Sequence, residues 1–257
     1  MTLWMAPGAV LRAIPNDQQQ YAIIRIWKQT DVIMYGGAIE GERKHHRGTA
    51  GEWGMGIDVR GSSRVTIRQV QVRDCWGDGI LIAGFDDRTY IDPTTDSPYS
   101  ENIDIVDVVA DGNRRQGVSL ISGRNVAFIR PWLVNTAGTP PAAGIDIEPD
   151  LPTQSVANVH LIDAITRNNQ GPGIMLLLNK LARNSYVSVA IAGHADYGSS
   201  RGLYLVAPDQ RGSVVVRGQD WAASKRELEI QRSCDMELAL IVGGTQARPP
   251  SCQGGGT

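Results

Sequence analysis

Asp146 and Glu148, one residue apart in A-G-I-D-I-E-P, are the side chains best placed to do chemistry in this chain. In an extended strand, residues two apart share a face, with Cα atoms roughly 6.6 Å apart. Carboxyl groups at such a separation can act as acid and base, or acid and nucleophile, on a glycosidic bond. Joined by Asp58, the same pair could instead hold a hard cation such as Ca²⁺, which takes several carboxylate and carbonyl oxygens. A solvated, edge-blunting role is the plainer alternative for an acid on a strand face. Asp78, in W-G-D-G-I, has a similar choice between catalysis and a turn hydrogen bond to its own backbone. Arg114 and Arg115 carry guanidinium forks suited to sugar carboxylates or sulfates, and Gln116 follows them. Trp53 and Trp76 offer rings on which sugars stack. The segment E-R-K-H-H-R-G-T-A-G-E-W from Glu42 to Trp53 adds His45, His46 and Glu52 as substrate contacts. Neither histidine has the spaced Cys or His partners that zinc requires, so no metal ligand set is assigned.

These residues recur at fixed places in a repeat. A Gly opens a short apolar alternation at Gly56, Gly79, Gly117, Gly144, Gly173 and Gly202. A second alternation follows each, as in V-T-I-R-Q-V-Q-V from Val65 or V-H-L-I-D-A-I from Val159. Self-similarity of this kind signals a solenoid, and period-2 alternation makes its elements strands. The expected fold is all-β: a single-stranded right-handed parallel β-helix of about 7–8 rungs with loop insertions. Strands of successive rungs stack about 4.8 Å apart. Equivalent outward positions therefore form columns, one of them reading Asp58, Leu81, Ser119, Asp146, Met175, Tyr204. The turn residues before each Gly read Met55, Asp78, Gln116, Ala143, Pro172, Arg201. These columns converge on one acidic strip, which the Glu42–Trp53 and Thr136–Ala143 loops should wall. Asp74, Asn113, Asn135 and Asn168 recur near a turn and are expected to form an internal hydrogen-bonding ladder.

Composition narrows the function classes. The net charge of −2 carries no basic footprint for nucleic acid, and no apolar run is long enough to span a membrane. The start, M-T-L-W-M-A-P-G-A-V-L, lacks a basic n-region and reads as a strand already inside a rung. An uncapped first rung implies an upstream segment or a partner, such as a homotrimer neighbour, that covers it. Residues 1–219 are assigned to the β-helix and 220–257 to capping strands and a loose tail, in which Cys234 and Cys252 could pair.

The rung pattern resembles the right-handed parallel β-helix proteins of the pectate-lyase superfamily over nearly the whole chain. G-I-D-V-R-G, W-G-D-G-I-L-I, R-Q-G-V-S-L and A-G-I-D-I-E-P look like the four active-site stations of polygalacturonases. Their catalytic letters are not retained: Met55, Gly77, Gln116, Asp146 and Glu148 stand at family Asp, Asp, His, Arg and Lys positions. R-Q-G-V-S-L also resembles alginate-epimerase modules, and bacteriophage tailspikes share the fold. The resemblance implies a polysaccharide partner and an extracellular or virion-associated setting. The resulting expectation is a hydrolase or lyase acting on a complex, acidic glycan, with Asp146, Glu148, Asp78 and Asp58 catalytic. The alternatives are a non-catalytic carbohydrate-binding or tailspike-type adhesion module and a purely structural rung array.

Overall fold

The computed structural model of the chain describes residues 1–85, 98–232, 234–242 and 245–247. Its strands form three parallel sheets of ten, seven and eight strands, and each turn of the chain visits the third sheet, then the first, then the second. The third sheet stacks Gln20–Trp27, Trp53–Arg60, Ile80–Ala83, Val118–Leu120, Ile145–Ile147, Ile174–Leu177, Leu203–Ala207 and Leu228–Arg232. This is the parallel β-helix that the repeat predicts.

Strand alternation sends one residue in two to the interior, where like meets like in the next rung. Ile57, Ile80, Val118, Ile145, Ile174 and Leu203 lie in register along the third sheet, and all are fully buried. Val65, Ile103, Val126 and Val159 form the matching column of the first sheet. Full burial of each such side chain is worth roughly 1.5–3 kcal/mol, so the aliphatic columns hold the rungs together.

The rung-opening glycines answer to close backbone approach. A Cβ on Gly117 would stand 2.4 Å from the Gly144 carbonyl oxygen, and one on Gly79 would stand 2.6 Å from that of Gly117. The carbonyls are held there by the ladder itself, since Val118 N–H donates to Gly144 O at 3.0 Å. The corner between the first and second sheets turns on left-handed residues instead: Gln69, Asp107, Arg130, Asp163 and Gly193 all have φ between 50° and 71°.

Past residue 219 the winding continues. Leu228–Arg232 pairs in parallel with Leu203–Ala207, Met236–Val242 pairs in parallel with Arg211–Arg217, and Thr245–Ala247 closes antiparallel. Cys252, with the rest of the tail expected to be loose, lies outside the described residues, as does most of the Gly84–Ser100 insertion. Cys75 is a buried free thiol.

The expected internal polar ladder divides in two. Asn113 and Asn169 are buried and bond backbone across rungs, Asn113 taking the Cys75 N–H at 3.0 Å and Asn169 the Thr136 N–H at 3.0 Å. Asn135 and Asn168 instead continue an exposed ladder from Asp111, with steps of 2.8 and 2.9 Å. Asp74 joins neither ladder and pairs with Lys44 at 3.1 Å. Period-2 patterning cannot tell neighbours at such a corner apart, because a left-handed residue there reverses which side faces in.

Candidate functional site

The outer face of the third sheet holds the column read from the sequence, Asp58–Leu81–Ser119–Asp146–Met175–Tyr204, in that register. Turn residues bond diagonally into the next rung. Ser119 Oγ donates to Asp78 Oδ2 at 2.9 Å, and Gln116 Nε2 donates to Asp146 Oδ2 at 2.8 Å. One rung before, the same diagonal is apolar, Met55 packing with Leu81 and Ala83. A polar island thus occupies the middle of the strip, between Leu81 on one side and Met175 on the other.

Its centre is Arg115. Its Nη1 lies 3.1 Å from Asp78 Oδ2, and its Nε lies 3.8 Å from Glu52. Burial works against the charge of Arg115, but Asp78, Asp146, Glu52 and Glu148 outweigh it and strengthen the guanidinium's hold on its proton. Asp78 is fully buried, and burial raises its pKa against the pull of Arg115 and Ser119. Asp146 is also fully buried. Burial first, then the charge of Glu148, holds its carboxyl well above the ordinary carboxylate range. Glu148 meets Lys180 Nζ at 3.4 Å, and Lys180 in turn meets Asp150 at 2.9 Å.

Above the island runs a groove of about 590 Å³. Glu52 and Trp53 line one part, Arg60 and Arg115 another, and Glu148, Asp150, Gln154 and Lys180 a third. Of the four acids read as catalytic, Glu148 alone is among its lining residues. Asp146 and Asp78 lie beneath it, and Asp58 is covered by Arg60, whose Nε donates at 2.9 Å. Burial raises the Asp58 pKa, with Arg60 opposing.

Three strand spacings, about 14 Å, separate Asp58 from Asp146. The Asp58–Asp146–Glu148 set therefore does not fit a Ca²⁺ ion. Among the described residues no group of three or more His, Cys, Asp or Glu is arranged for a metal.

Several expected contacts stand elsewhere. Trp76 is covered on both faces, by the Arg114 guanidinium at 3.7 Å and by the His46 ring at 3.9 Å, so it offers no open platform. The His46 side chain is wholly buried, stacks towards Tyr21, and bonds Glu42 at 2.7 Å. Tyr21 O–H donates to the same Glu42 oxygen, and burial, then that carboxylate, raises the tyrosine pKa. Arg114 ties this stack to the loop by donating to Gly51 O at 3.0 Å, and burial lowers its pKa. His45 is exposed and does not line the groove. Gln116 is buried between Ala143 N–H and Asp146, which removes it from substrate contact. Trp53, 44 % exposed, is the open aromatic ring of the groove.

The Thr136–Ala143 loop is not a wall. It lies at the corner before the third sheet, where Thr139 N–H bonds Arg114 O at 2.9 Å. The loop after strand Ile145–Ile147 takes that place through Asp150, Leu151 and Gln154. Lys180, Asp150 and Gln154 escaped the sequence reading. Their signal was loop stacking, since Lys180 follows its strand in the rung above Asp150, as Met175 follows Asp146.

No protein-family model matches the chain. It is similar to an uncharacterized protein, YclG, of Bacillus subtilis strain 168, at 31 % identity over 261 residues. That alignment covers 95 % of this chain and 43 % of YclG, so the chain spans less than half of that relative. A shorter stretch of 91 residues is 43 % identical to YorA, an uncharacterized SPbeta prophage-derived protein of the same bacterium, covering 32 % of this chain and 15 % of YorA. Among solved structures, the Streptococcus pneumoniae surface protein and adhesin PfbA superposes with a TM-score of 0.50 at 11 % identity, over 94 % of this chain and 66 % of that one. The chain thus shares its parallel β-helix fold with a solved surface protein.

Proposed function

We propose that the chain is a polysaccharide-active enzyme, a hydrolase or lyase acting on a complex acidic glycan laid along the third sheet. One observation carries this reading: Glu148 lines a groove shared with Trp53, Arg115 and Lys180, with the fully buried carboxyl of Asp146 two residues before it on the same strand face. Burial and the charge of Glu148 both favour a proton on Asp146, so proton exchange with a bound chain falls to Glu148. Glu148 can therefore take a proton from the bound chain or deliver one.

In a lyase, Arg115 and Lys180 would neutralise a uronate carboxylate while Glu148 removes the adjacent carbon-bound proton. The electron pair left behind forms the new double bond and expels the glycosidic oxygen, which takes up a proton. In a hydrolase, Glu148 is the member of the pair that reaches the glycosidic bond, because it lines the groove and Asp146 is fully buried. Glu52, on the groove beside Arg115, is then the second carboxylate.

The test is incubation of the whole chain with acidic and neutral polysaccharides, with and without Ca²⁺. New reducing ends and the ultraviolet absorbance of unsaturated uronates are followed together. Reducing ends alone mark a hydrolase, and both signals a lyase. Glu148→Gln is expected to lower the rate about 100-fold or more. Unchanged turnover in that variant removes Glu148 from the chemistry.

A second reading, a non-catalytic carbohydrate-binding or tailspike-type adhesion module, is favoured by the pairing of the buried acids. Asp58 and Asp78 are neutralised by Arg60 and Arg115, and these arginines line the groove together with Lys180, where an anionic chain would meet them. PfbA, which shares the fold, is described as an adhesin. This reading predicts saturable glycan binding with no product. A homotrimer and a location at a cell or virion surface belong with it.

A further inference from the structure

We infer that Asp146 stores a proton at neutral pH on Oδ1, its buried and unpartnered oxygen, and that Gln116 is the positioning residue that puts it there. The inference deepens the reading of Glu148 as the acid–base group of the groove and rests on it only for its functional consequence.

Ala143 orients the Gln116 amide. Its backbone N–H can only donate, and it points at the Gln116 side chain at 2.7 Å. The atom facing it must therefore be Oε1, which fixes the amide and turns Nε2 toward Asp146 Oδ2, 2.8 Å away. Oδ2 is thereby committed as an acceptor. Oδ1 is buried with no hydrogen-bond partner, and the carboxylate that acts on Asp146 in the same direction as burial is Glu148. A bare carboxylate oxygen in that position would be desolvated, unpaired and faced by a like charge. A proton on Oδ1 removes the buried charge and its repulsion by Glu148, and turns that oxygen from an unserved acceptor into a donor. Burial and the Glu148 charge both raise the Asp146 pKa, in the same direction.

The other groups around Asp146 agree. Ser119 and Met175 flank it in the neighbouring strands and carry no charge. Arg115 and Asp78 act on it from the preceding rungs with opposite signs, and Arg115 is already engaged by Asp78 at 3.1 Å. Lys180 sits on Glu148 and Asp150. One rung earlier the same diagonal is built with the roles exchanged. There the turn residue is the acid, Asp78, and the strand residue is the donor, Ser119. An arginine serves that acid directly, whereas Asp146 receives a neutral amide.

Glu148 thus takes part as one half of a proton-sharing unit. When Glu148 gives a proton to the bound chain, the Oδ1 proton of Asp146 supports the resulting carboxylate. When Glu148 takes a proton, the pair holds two and Asp146 remains neutral.

Infrared spectroscopy of the whole chain in deuterated buffer across pH tests this without a substrate. The expected result is a protonated-carboxyl band that persists at neutral pH, is missing in Asp146→Asn, and moves to higher frequency in Gln116→Met as the Asp146 carbonyl loses its donor. Asn at 146 can accept from Gln116 and donate to Glu148, so the fold should survive. If it does not, Glu148→Gln must shift the band by changing the acceptor.

Three results would overturn the inference: no such band at neutral pH, a band retained in Asp146→Asn, or a band that Gln116→Met leaves in place. A chain that shows the band and the shifts but acts on no glycan supports the proton store and removes the enzymatic reading. Glycan cleavage without the band does the reverse.

Discussion

Trp53 and Glu148 keep an open face to the groove, while the acids around them are spent on buried partners. An aromatic platform contributes about 0.5–1.5 kcal/mol beyond the area it covers. Trp53→Ala is accordingly expected to weaken glycan affinity about tenfold, measured by calorimetry on whichever polysaccharide binds. Trp76→Ala differs in kind, because both faces of that ring are already occupied and its loss should register as instability. Asp146 makes a prediction of opposite sign to that of an ordinary salt-bridged acid. Its folded pKa lies above the unfolded value of about 4, so the folded chain binds the proton more tightly. That contribution is complete below about pH 4 and fades as pH rises through the folded value. Asp146→Asn should therefore match the wild type in mild acid and exceed it on the alkaline side, in urea unfolding across pH. An alkaline slope unchanged by the substitution would count against a protonated Asp146.

The rungs impose a constraint of their own. At Gly56, Gly79, Gly117 and Gly144 the carbonyl oxygen of the next rung's glycine stands within 2.4–2.7 Å of where a Cβ would go. Gly117→Ala cannot relieve the contact by rotating a side chain, since its neighbour is backbone. The expected loss is about 1–3 kcal/mol, typical of overpacking, read from the denaturation midpoint. The displacement would also reach function, because Gln116 and Val118 flank this glycine and Gln116 holds Asp146. The loop of residues 42–52 is held by a different device, the stack of Tyr21, His46, Trp76 and Arg114. That stack sets the place of Glu52 and Trp53 on the groove by bonding the chain just before them.

Along the whole solenoid the interior changes character. Aliphatic columns fill most rungs, but near residues 194–221 the core is crossed by a buried polar chain. Trp221 Nε1 donates to His194 Nδ1 at 2.8 Å, which leaves Nε2–H to face Thr166 Oγ1 at 2.8 Å, and that hydroxyl donates to Asp196 at 2.6 Å. A second proton on His194 would have to sit where the indole N–H already points. Burial accordingly lowers the His194 pKa to about 3. A histidine depressed in this way contributes stability that is whole above its unfolded pKa of about 6.5 and is lost as pH falls toward about 3. Stability should decline by up to about 5 kcal/mol across that window. His194→Gln should flatten the decline in thermal melts, at the cost of some stability at neutral pH.

The fold was legible because a β-helix writes its geometry into one dimension. Glycines at the start of each rung and alternating Val and Ile place every strand, and outward columns follow from counting. The Asp58-to-Tyr204 column is correct in register for this reason. The same counting put Asp146 beside Glu148, a contact local to one strand. It could not say that Asp58 lies about 14 Å from the pair, that Arg60 and Arg115 cover neighbouring acids, or that Glu148 alone of the four faces the groove. Those outcomes depend on how long side chains reach across rungs and which loops stack above them. Burial is also a property of the assembled molecule: an outward-pointing acid in the sequence becomes an enclosed one when Arg115, Gln116 and Glu148 close over it. Whether a carboxyl is ionised depends on that enclosure, so the residue types were readable in advance, and their protonation and access were decided only by the three-dimensional packing.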